Sequence, residues 1–260
     1  MTSKLASEIS LDPMQLTSNG HPLDLTLDRF AELVPMNALL DDDAGLREAM
    51  SEQGHLFFRG LLDADLVLAA RHEILQKYAI LGEIDDRHPV DDAIAGDGGG
   101  IGTANLRAFS DSVRTGAHYL GVTDADAVLD VHRSLLEGEV RSFDMRWPRF
   151  VRPGEGCGFH CDGPYMNRGT SRIFSSWIPL GRVDRHEGAL ILLENSHRNE
   201  ELHVGYLRAD ADRDGLTWLD ASPTTVQERY GDRWLTTDFQ PGDVLMFGMH
   251  TLHGAIDNTS

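Results

Sequence analysis

Cysteine is scarce: the 260 residues contain two, Cys157 and Cys161. So few cannot supply a disulfide framework for a chain of this size, which points to a reducing compartment. Basic residues are also in deficit. Lys and Arg total 23 against 42 Asp and Glu, a formal charge of −19, and such a surface repels phosphate backbones and anionic headgroups alike. Nucleic acid and membranes are thereby disfavoured as partners. No stretch approaches the roughly 20 apolar residues of a membrane span, and the opening MTSKLASEISLDPMQ lacks the apolar run of a signal peptide. The chain therefore reads as soluble and cytoplasmic. Internal repeats and low-complexity tracts are missing as well. What remains, 260 residues at 41% hydrophobic, suffices for one well-buried core, so a single domain over 1–260 is expected.

Residues 1–24 carry turn formers such as Asn19-Gly20 and Pro22 and predict an irregular leader. Residues 25–140 read as a mostly helical flank. Between Leu25 and Gln53 the apolar residues fall at mixed helical spacing, broken by Pro35 and Asp41-Asp42-Asp43, which predicts two short helices. His55 to Leu61 is a short apolar run with aromatics and suits a strand. Asp63 then caps a helix whose Leu66, Ala69, Ala70, Ile74, Tyr78 and Leu81 keep a 3.6-residue rhythm to about residue 82. Residues 85–102, with Gly98-Gly99-Gly100 among them, predict a loop or lid. They have no strand-to-helix context and no Gly-Lys-Ser/Thr ending, so they do not read as a phosphate-binding loop. A further helix is expected over Asp124 to Glu137, with Thr123 as cap and Val128, Val131, Leu135 and Leu136 on one face.

Beyond residue 140 helical spacing gives way to short strand-like segments separated by Gly, Pro and Asn: Ser142 to Val151, Phe174 to Leu180, Ala189 to Leu193, Trp234 to Phe239 and Val244 to Met249. Helices followed by closely spaced strands predict an α+β fold with a mainly β core, a sandwich or barrel with the helices on one face.

The chemically informative segment is Gly158-Phe159-His160-Cys161-Asp162-Gly163-Pro164. Alternation along a strand puts His160 and Asp162 on one side, so both reach a common point. One imidazole and one carboxylate suit iron(II), and a second histidine from a distant strand would complete a facial triad with three open positions. His253 fits: it follows the apolar run Val244 to Met249 and precedes Gly254, which places it at a strand end beside a small residue. His250 lies three residues earlier, and odd spacing sends the two to opposite faces of a regular strand; His253 is preferred. His-x-Asp alone also arises by chance, and a lone histidine on an apolar strand is commonly a core or surface residue. Zinc is disfavoured because no second Cys or Cys/His pair follows Cys157 and Cys161 at suitable spacing. Cys161, on the face opposite the ligand pair, reads as a packed core thiol.

Taken together, four segments resemble the phytanoyl-CoA dioxygenase family of iron(II)- and 2-oxoglutarate-dependent oxygenases over about residues 50–260. They are Glu52 to Leu62 with the helix after it; Arg152-Pro153-Gly154 leading into His160-Cys161-Asp162; Trp177-Ile178-Pro179-Leu180 with Glu187 to Leu190 and Glu194-Asn195-Ser196-His197-Arg198; and Pro241-Gly242-Asp243 through His253-Gly254 to Asp257-Asn258. Glu194-Asn195 departs from the family's usual Pro-Gly. The resemblance implies a double-stranded β-helix over 141–260, with iron(II) on His160, Asp162 and His253, and with 2-oxoglutarate and O2 as cosubstrates. It implies that Trp177 stands against the 2-oxoglutarate; an aromatic plug in the barrel is the alternative. It also implies an arginine about ten residues past the distal histidine to hold the far carboxylate. That position falls beyond Ser260, so the expectation is that the final strand is cut short. The implied reaction is oxidation, by default hydroxylation, of an unactivated C–H bond of a small-molecule substrate, with 2-oxoglutarate decarboxylated to succinate. A carboxylate at Asp162, where a halide would need the space, argues against halogenation. The alternatives are an inactive β-helix binding or regulatory module and a cupin-like metal-dependent isomerase or hydrolase. Residues 91–102 and 163–169 are expected to border the pocket, with Tyr165, Asn167 or Arg168 as substrate contacts. The acidic surface favours a small neutral or cationic metabolite over an acyl-CoA.

Overall fold

The computed structural model describes residues 15–96, 103–144, 146–166, 168–215, 218–219 and 222–260. Nine short strands are present among them: β1 Thr17–Ser18, β2 His21–Pro22, β3 Phe30–Glu32, β4 His55–Phe58, β5 Phe174–Trp177, β6 Leu190–Leu193, β7 Trp234–Thr236, β8 Val244–Gly248 and β9 His253–Ala255. Apart from the β1–β2 hairpin they form a four-stranded sheet, β3-β7-β6-β9, and a three-stranded sheet, β4-β8-β5. All pairs are antiparallel except β3 with β7.

Period-two alternation explains how the sheets stack. In β8, Leu245 and Phe247 join Phe57 of β4 and Leu190, Leu192 and Leu235 of the other sheet in one apolar cluster, so these faces meet. Val244 and Met246, with Leu56 and Phe58, point the other way onto a helical layer. Ile191, Leu193 and Trp234 face outward from the four-stranded sheet onto Phe159, Val226 and Tyr230. Strands covered on both sides are apolar nearly throughout: β6 is Leu190-Ile191-Leu192-Leu193, and the wholly buried β4 is apolar apart from His55. Each phenylalanine so buried contributes about 1.5–3 kcal/mol relative to exposure.

The helical layer comprises α1 Asp43–Gln53, α2 Ala64–Ile80, α3 Thr103–Arg114, α4 Ala117–Thr123 and α5 Asp126–Leu136. Asp63 caps α2 as its position predicts, accepting from the amides of Asp65 (2.7 Å) and Leu66 (3.2 Å). Four further short helices follow: α6 Gly163–Met166, α7 Glu200–Val204, α8 Ala211–Asp214 and α9 Pro223–Tyr230. The last three fill the connection between β6 and β7.

Several expectations are corrected. Residues 25–53 contain one α-helix, not two; Phe30–Glu32 pairs in parallel with Trp234–Thr236, and a 3-10 turn spans Asn37–Leu39. Tertiary pairing overrides the local spacing there. Thr123 is the last residue of α4 rather than a cap, and α5 begins after Ala125 without a side-chain cap. Ser142 to Val151 joins no sheet among the described residues; side chains hold it, with Arg146 on both oxygens of Asp124 (2.6 Å each) and Phe150 stacked on Tyr78 at 4.3 Å. The leader is ordered from residue 15: Asn19 and Gly20, at φ 52° and 75°, turn the β1–β2 hairpin. Within 85–102, Ile84 bridges Ala95 and a 3-10 turn occupies Val90–Asp92; Gly98-Gly99-Gly100 lies outside the described residues.

Candidate metal centre

His160 and His253 face each other across two chain segments. Each backbone amide donates to the other's carbonyl at 2.9 Å, a hydrogen-bonded antiparallel pair. Directly opposed residues share a sheet face, which is why two imidazoles 93 positions apart stand with ring centroids 4.3 Å from each other. Asp162, two residues on from His160, comes to the same side. Its Oδ1 lies 3.9 Å from His160 Nε2 and 3.7 Å from His253 Nε2. One donor atom from each of the three residues falls within a 4.8 Å cluster, the single such group of His, Cys, Asp and Glu among the described residues.

The surroundings orient these donors. His160 Nδ1 is 2.8 Å from the Gly158 carbonyl and His253 Nδ1 is 3.0 Å from the Thr251 carbonyl. A carbonyl only accepts, so Nδ1 is the donor in each ring and Nε2 is the atom left toward Asp162 as a potential metal donor. Ser175, on β5, donates its hydroxyl to Asp162 Oδ2 and leaves Oδ1 toward the imidazoles. The Asp162 carbonyl opens α6, accepting from the Tyr165 and Met166 amides at 3.0 Å each. Phe247 stands 4.5 Å from the His253 ring and Tyr165 meets His160 edge-on at 5.8 Å, so an apolar wall and an aromatic edge bound the donors. Two imidazoles and a carboxylate, His253 buried and His160 and Asp162 partly buried, with both Nε2 atoms turned to one oxygen, fit a first-row divalent metal. Bonds of about 2.0–2.2 Å span donors roughly 3 Å apart, so small side-chain rotations suffice.

The other singled-out residues fall as follows. His250 sits in the turn after β8 with its ring 4.8 Å from His203, outside the donor cluster, and burial lowers its pKa. His253 opens its own strand, β9, rather than ending β8, and Gly254 is glycine for packing: a Cβ there would meet the Phe159 ring at 2.7 Å. Cys161 is fully buried opposite the ligands, which pushes its thiol pKa well up. Burial would also raise Cys157, but its bond to His160 and the charges of His160 and Arg149 bring it below the usual value. Trp177 is on the same side of β5 as Ser175, half-buried with its ring 4.7 Å from Phe239. Arg168 is committed to Asp210 and Asp212 at 2.7 Å each, and Asn167 lies outside the described residues. Sequence reasoning misses Ser175 and Phe247. Strand alternation with Trp177 marks Ser175's face, but nothing local pairs it with Asp162.

Comparison with known proteins adds an independent line. The sequence matches the family described as phytanoyl-CoA dioxygenase (PhyH) over residues 50–260. It is 26% identical over 251 residues to 1-deoxypentalenic acid 11-beta-hydroxylase of Streptomyces arenae, covering 90% of this chain and 81% of that one. The hydroxylase of the same name from Streptomyces exfoliatus is 25% identical over 246 residues, with the same coverage. In fold it is similar to the non-haem α-ketoglutarate-dependent carbocyclase SnoK from nogalamycin biosynthesis (TM-score 0.52, 16% identity, 88% of this chain and 82% of that one). It is likewise similar to EctD from S. alaskensis with 2-oxoglutarate and 5-hydroxyectoine (TM-score 0.50, 18% identity, 92% and 82%).

Proposed function

This chain belongs to the phytanoyl-CoA dioxygenase family of non-haem iron(II)- and 2-oxoglutarate-dependent oxygenases, and from that membership we propose that His160, Asp162 and His253 hold its iron and that it hydroxylates an unactivated C–H bond of a small-molecule metabolite. The observation that carries the ligand assignment is the convergence of two Nδ1-protonated imidazoles on one carboxylate oxygen. Iron(II) bound there, with 2-oxoglutarate and O2, supplies the oxidising chemistry, coupling decarboxylation to succinate and carbon dioxide with oxidation of substrate. The chain's own part is positional. The Gly158 and Thr251 carbonyls fix the imidazole tautomers, Ser175 fixes the carboxylate, and Phe247 shields the His253 side from water. Trp177, on the inward face of β5, is assigned as the wall against which 2-oxoglutarate lies.

The two sheets meeting face to face support reading residues 141–260 as a double-stranded β-helix, with residues 25–140 as its helical flank in one catalytic domain. Hydroxylation is favoured over other oxidations because two sequence relatives are hydroxylases of a small molecule. No helix among the described residues is long and apolar enough to cross a membrane. Anaerobic titration with iron(II) and then 2-oxoglutarate tests the assignment: a weak visible charge-transfer band is expected, and His253→Ala should lose both metal binding and succinate formation. A full-strength band in His253→Ala, or its loss only in His250→Ala, would refute the ligand set.

A further inference from the structure

A second concave site lies across the three-stranded sheet from the donors. A cavity of about 300 Å³ opens between the ends of β5 and β8 and the helices α1 and α5, with apolar walls from Met50, Leu135, Ile173 and Phe174. Phe174 and Gly248 are directly paired, as are Ser175 and Phe247 beside them. Neighbouring pairs face opposite sides of a sheet. Ser175 and Phe247 therefore turn to Asp162 and His253, while Phe174 and Gly248 turn to the helical layer. Gly248 is the telling residue. Its φ lies outside the left-handed region, so the backbone does not require glycine there. Its chain neighbours aside, a Cβ would meet nothing nearer among the described residues than Thr251 Oγ1 at 4.0 Å. A strand glycine that neither conformation nor packing within the chain explains is characteristic of a place where a ligand approaches closely.

The lining sets the class of ligand. Arg47, the arginine among the described lining residues, is already committed, to the Ser134 carbonyl at 2.9 Å and to Glu137 at 3.7 Å. Burial lowers the pKa of both imidazoles on the wall, His197 and His250, and so favours their neutral forms. With no unpaired charge to meet it, an ion would lose its hydration without compensation, whereas the walls favour an apolar body. A neutral imidazole offers one donor and one acceptor, so His250 suits a single polar group on the ligand. The cavity also reaches the metal donors. Three consecutive carbonyls of the turn that lines it hold their surroundings: Met249 accepts from the Gly163 amide at 2.8 Å, His250 from the Cys161 thiol at 3.4 Å and Thr251 from His253 Nδ1 at 3.0 Å. This turn thus grips both chain neighbours of Asp162 and the ring of His253, and whatever fixes the turn fixes the donors.

We propose that this cavity is a second ligand site, separate from the metal centre, for a small, uncharged, mostly apolar molecule whose one polar group meets His250, and that its occupant tightens metal binding by fixing the turn 248–251. The coupling rests on the assignment of His160, Asp162 and His253 as metal ligands; the site itself does not. The full chain is titrated calorimetrically with 2-naphthol and, separately, with 2-naphthoate, and its cobalt(II) affinity is read by visible absorption with and without saturating 2-naphthol. One saturable site for 2-naphthol is expected, with 2-naphthoate weaker by about tenfold or more. Cobalt(II) should bind about fivefold more tightly when 2-naphthol is present, and by reciprocity 2-naphthol should gain the same factor from cobalt(II). Gly248→Leu fills the cavity from the strand, and Ser171→Trp closes it from the exposed rim, where folding is not at stake; each should abolish 2-naphthol binding. No saturable binding in the parent, equal affinity for 2-naphthoate, or binding that survives in both variants would overturn the site. Saturable binding that leaves cobalt(II) affinity unchanged would overturn the coupling. A parent protein that binds no cobalt(II) would instead sink the ligand assignment of His160, Asp162 and His253, and the 2-naphthol isotherms would still decide the cavity.

Discussion

Ser175 shows how much a single hydroxyl contributes at this site. Without its bond the Asp162 carboxylate is free to rotate about its last torsion, and the oxygen that meets the two imidazoles is no longer selected. Outer partners of metal ligands typically account for 10–100-fold in affinity. Ser175→Ala is therefore expected to weaken binding of cobalt(II) to the apoprotein by that factor, read by visible absorption, with Ser175→Thr restoring most of it. An unchanged affinity in the alanine variant would remove Ser175 from the site. His160 and Asp162 are legible in the sequence because alternation is a local rule, and His253 follows from its apolar strand and from the family pattern. Ser175 is not legible: its partner is 13 residues away across a turn, and the bond depends on how β5 is placed.

At the scale of elements, α5 docks onto β5 through a partly buried histidine. His132 Nε2 stands 2.8 Å from the Ser176 hydroxyl, and burial lowers the His132 pKa to about 4. An unfolded histidine titrates near 6.5, so the unfolded chain takes up this proton first on acidification. The contribution of neutral His132 is present in full above about pH 6.5 and is lost as pH falls toward 4, on the order of 3 kcal/mol in all. In denaturant unfolding the parent should lose more stability between pH 7 and 5 than His132→Gln; parallel curves would contradict the assignment. His55, His197 and His250 are shifted in the same direction by burial and add to the trend. Of the elements, α2 and the cores of β4, β5, β6, β7 and β8 are readable from periodicity and cap chemistry. Strand β3 is not, because three residues have no period to reveal and it exists only by pairing with β7. Ser142 to Val151 errs the other way: strand-like composition is present, yet its backbone finds no ladder among the described residues.

Across the whole molecule, residues distant in sequence close around the site. Asp257 accepts from the amides of Asn19 and Gly20 at 2.8 Å each and from the Thr17 hydroxyl at 2.7 Å, so the β1–β2 hairpin clasps the chain four residues past His253. The Ser18 hydroxyl adds a bond to the Ala255 carbonyl at 2.6 Å. This long-range clasp is invisible to any local reading, which sees in Asn19-Gly20 a turn and not what the turn grips.

The paired backbones of His160 and His253 give those two amides a double identity. They are sheet hydrogen bonds and, at the same time, the hinge between two candidate ligands, so opening this bridge and releasing a metal ion would be one event. Solvent exchange of these two amide hydrogens thus becomes a gauge of occupancy that needs no turnover. With iron(II) at a hundred times its Kd, both should exchange about a hundredfold more slowly than in the metal-free protein, while the Phe30 amide, on the far edge of the same sheet, should be slowed far less.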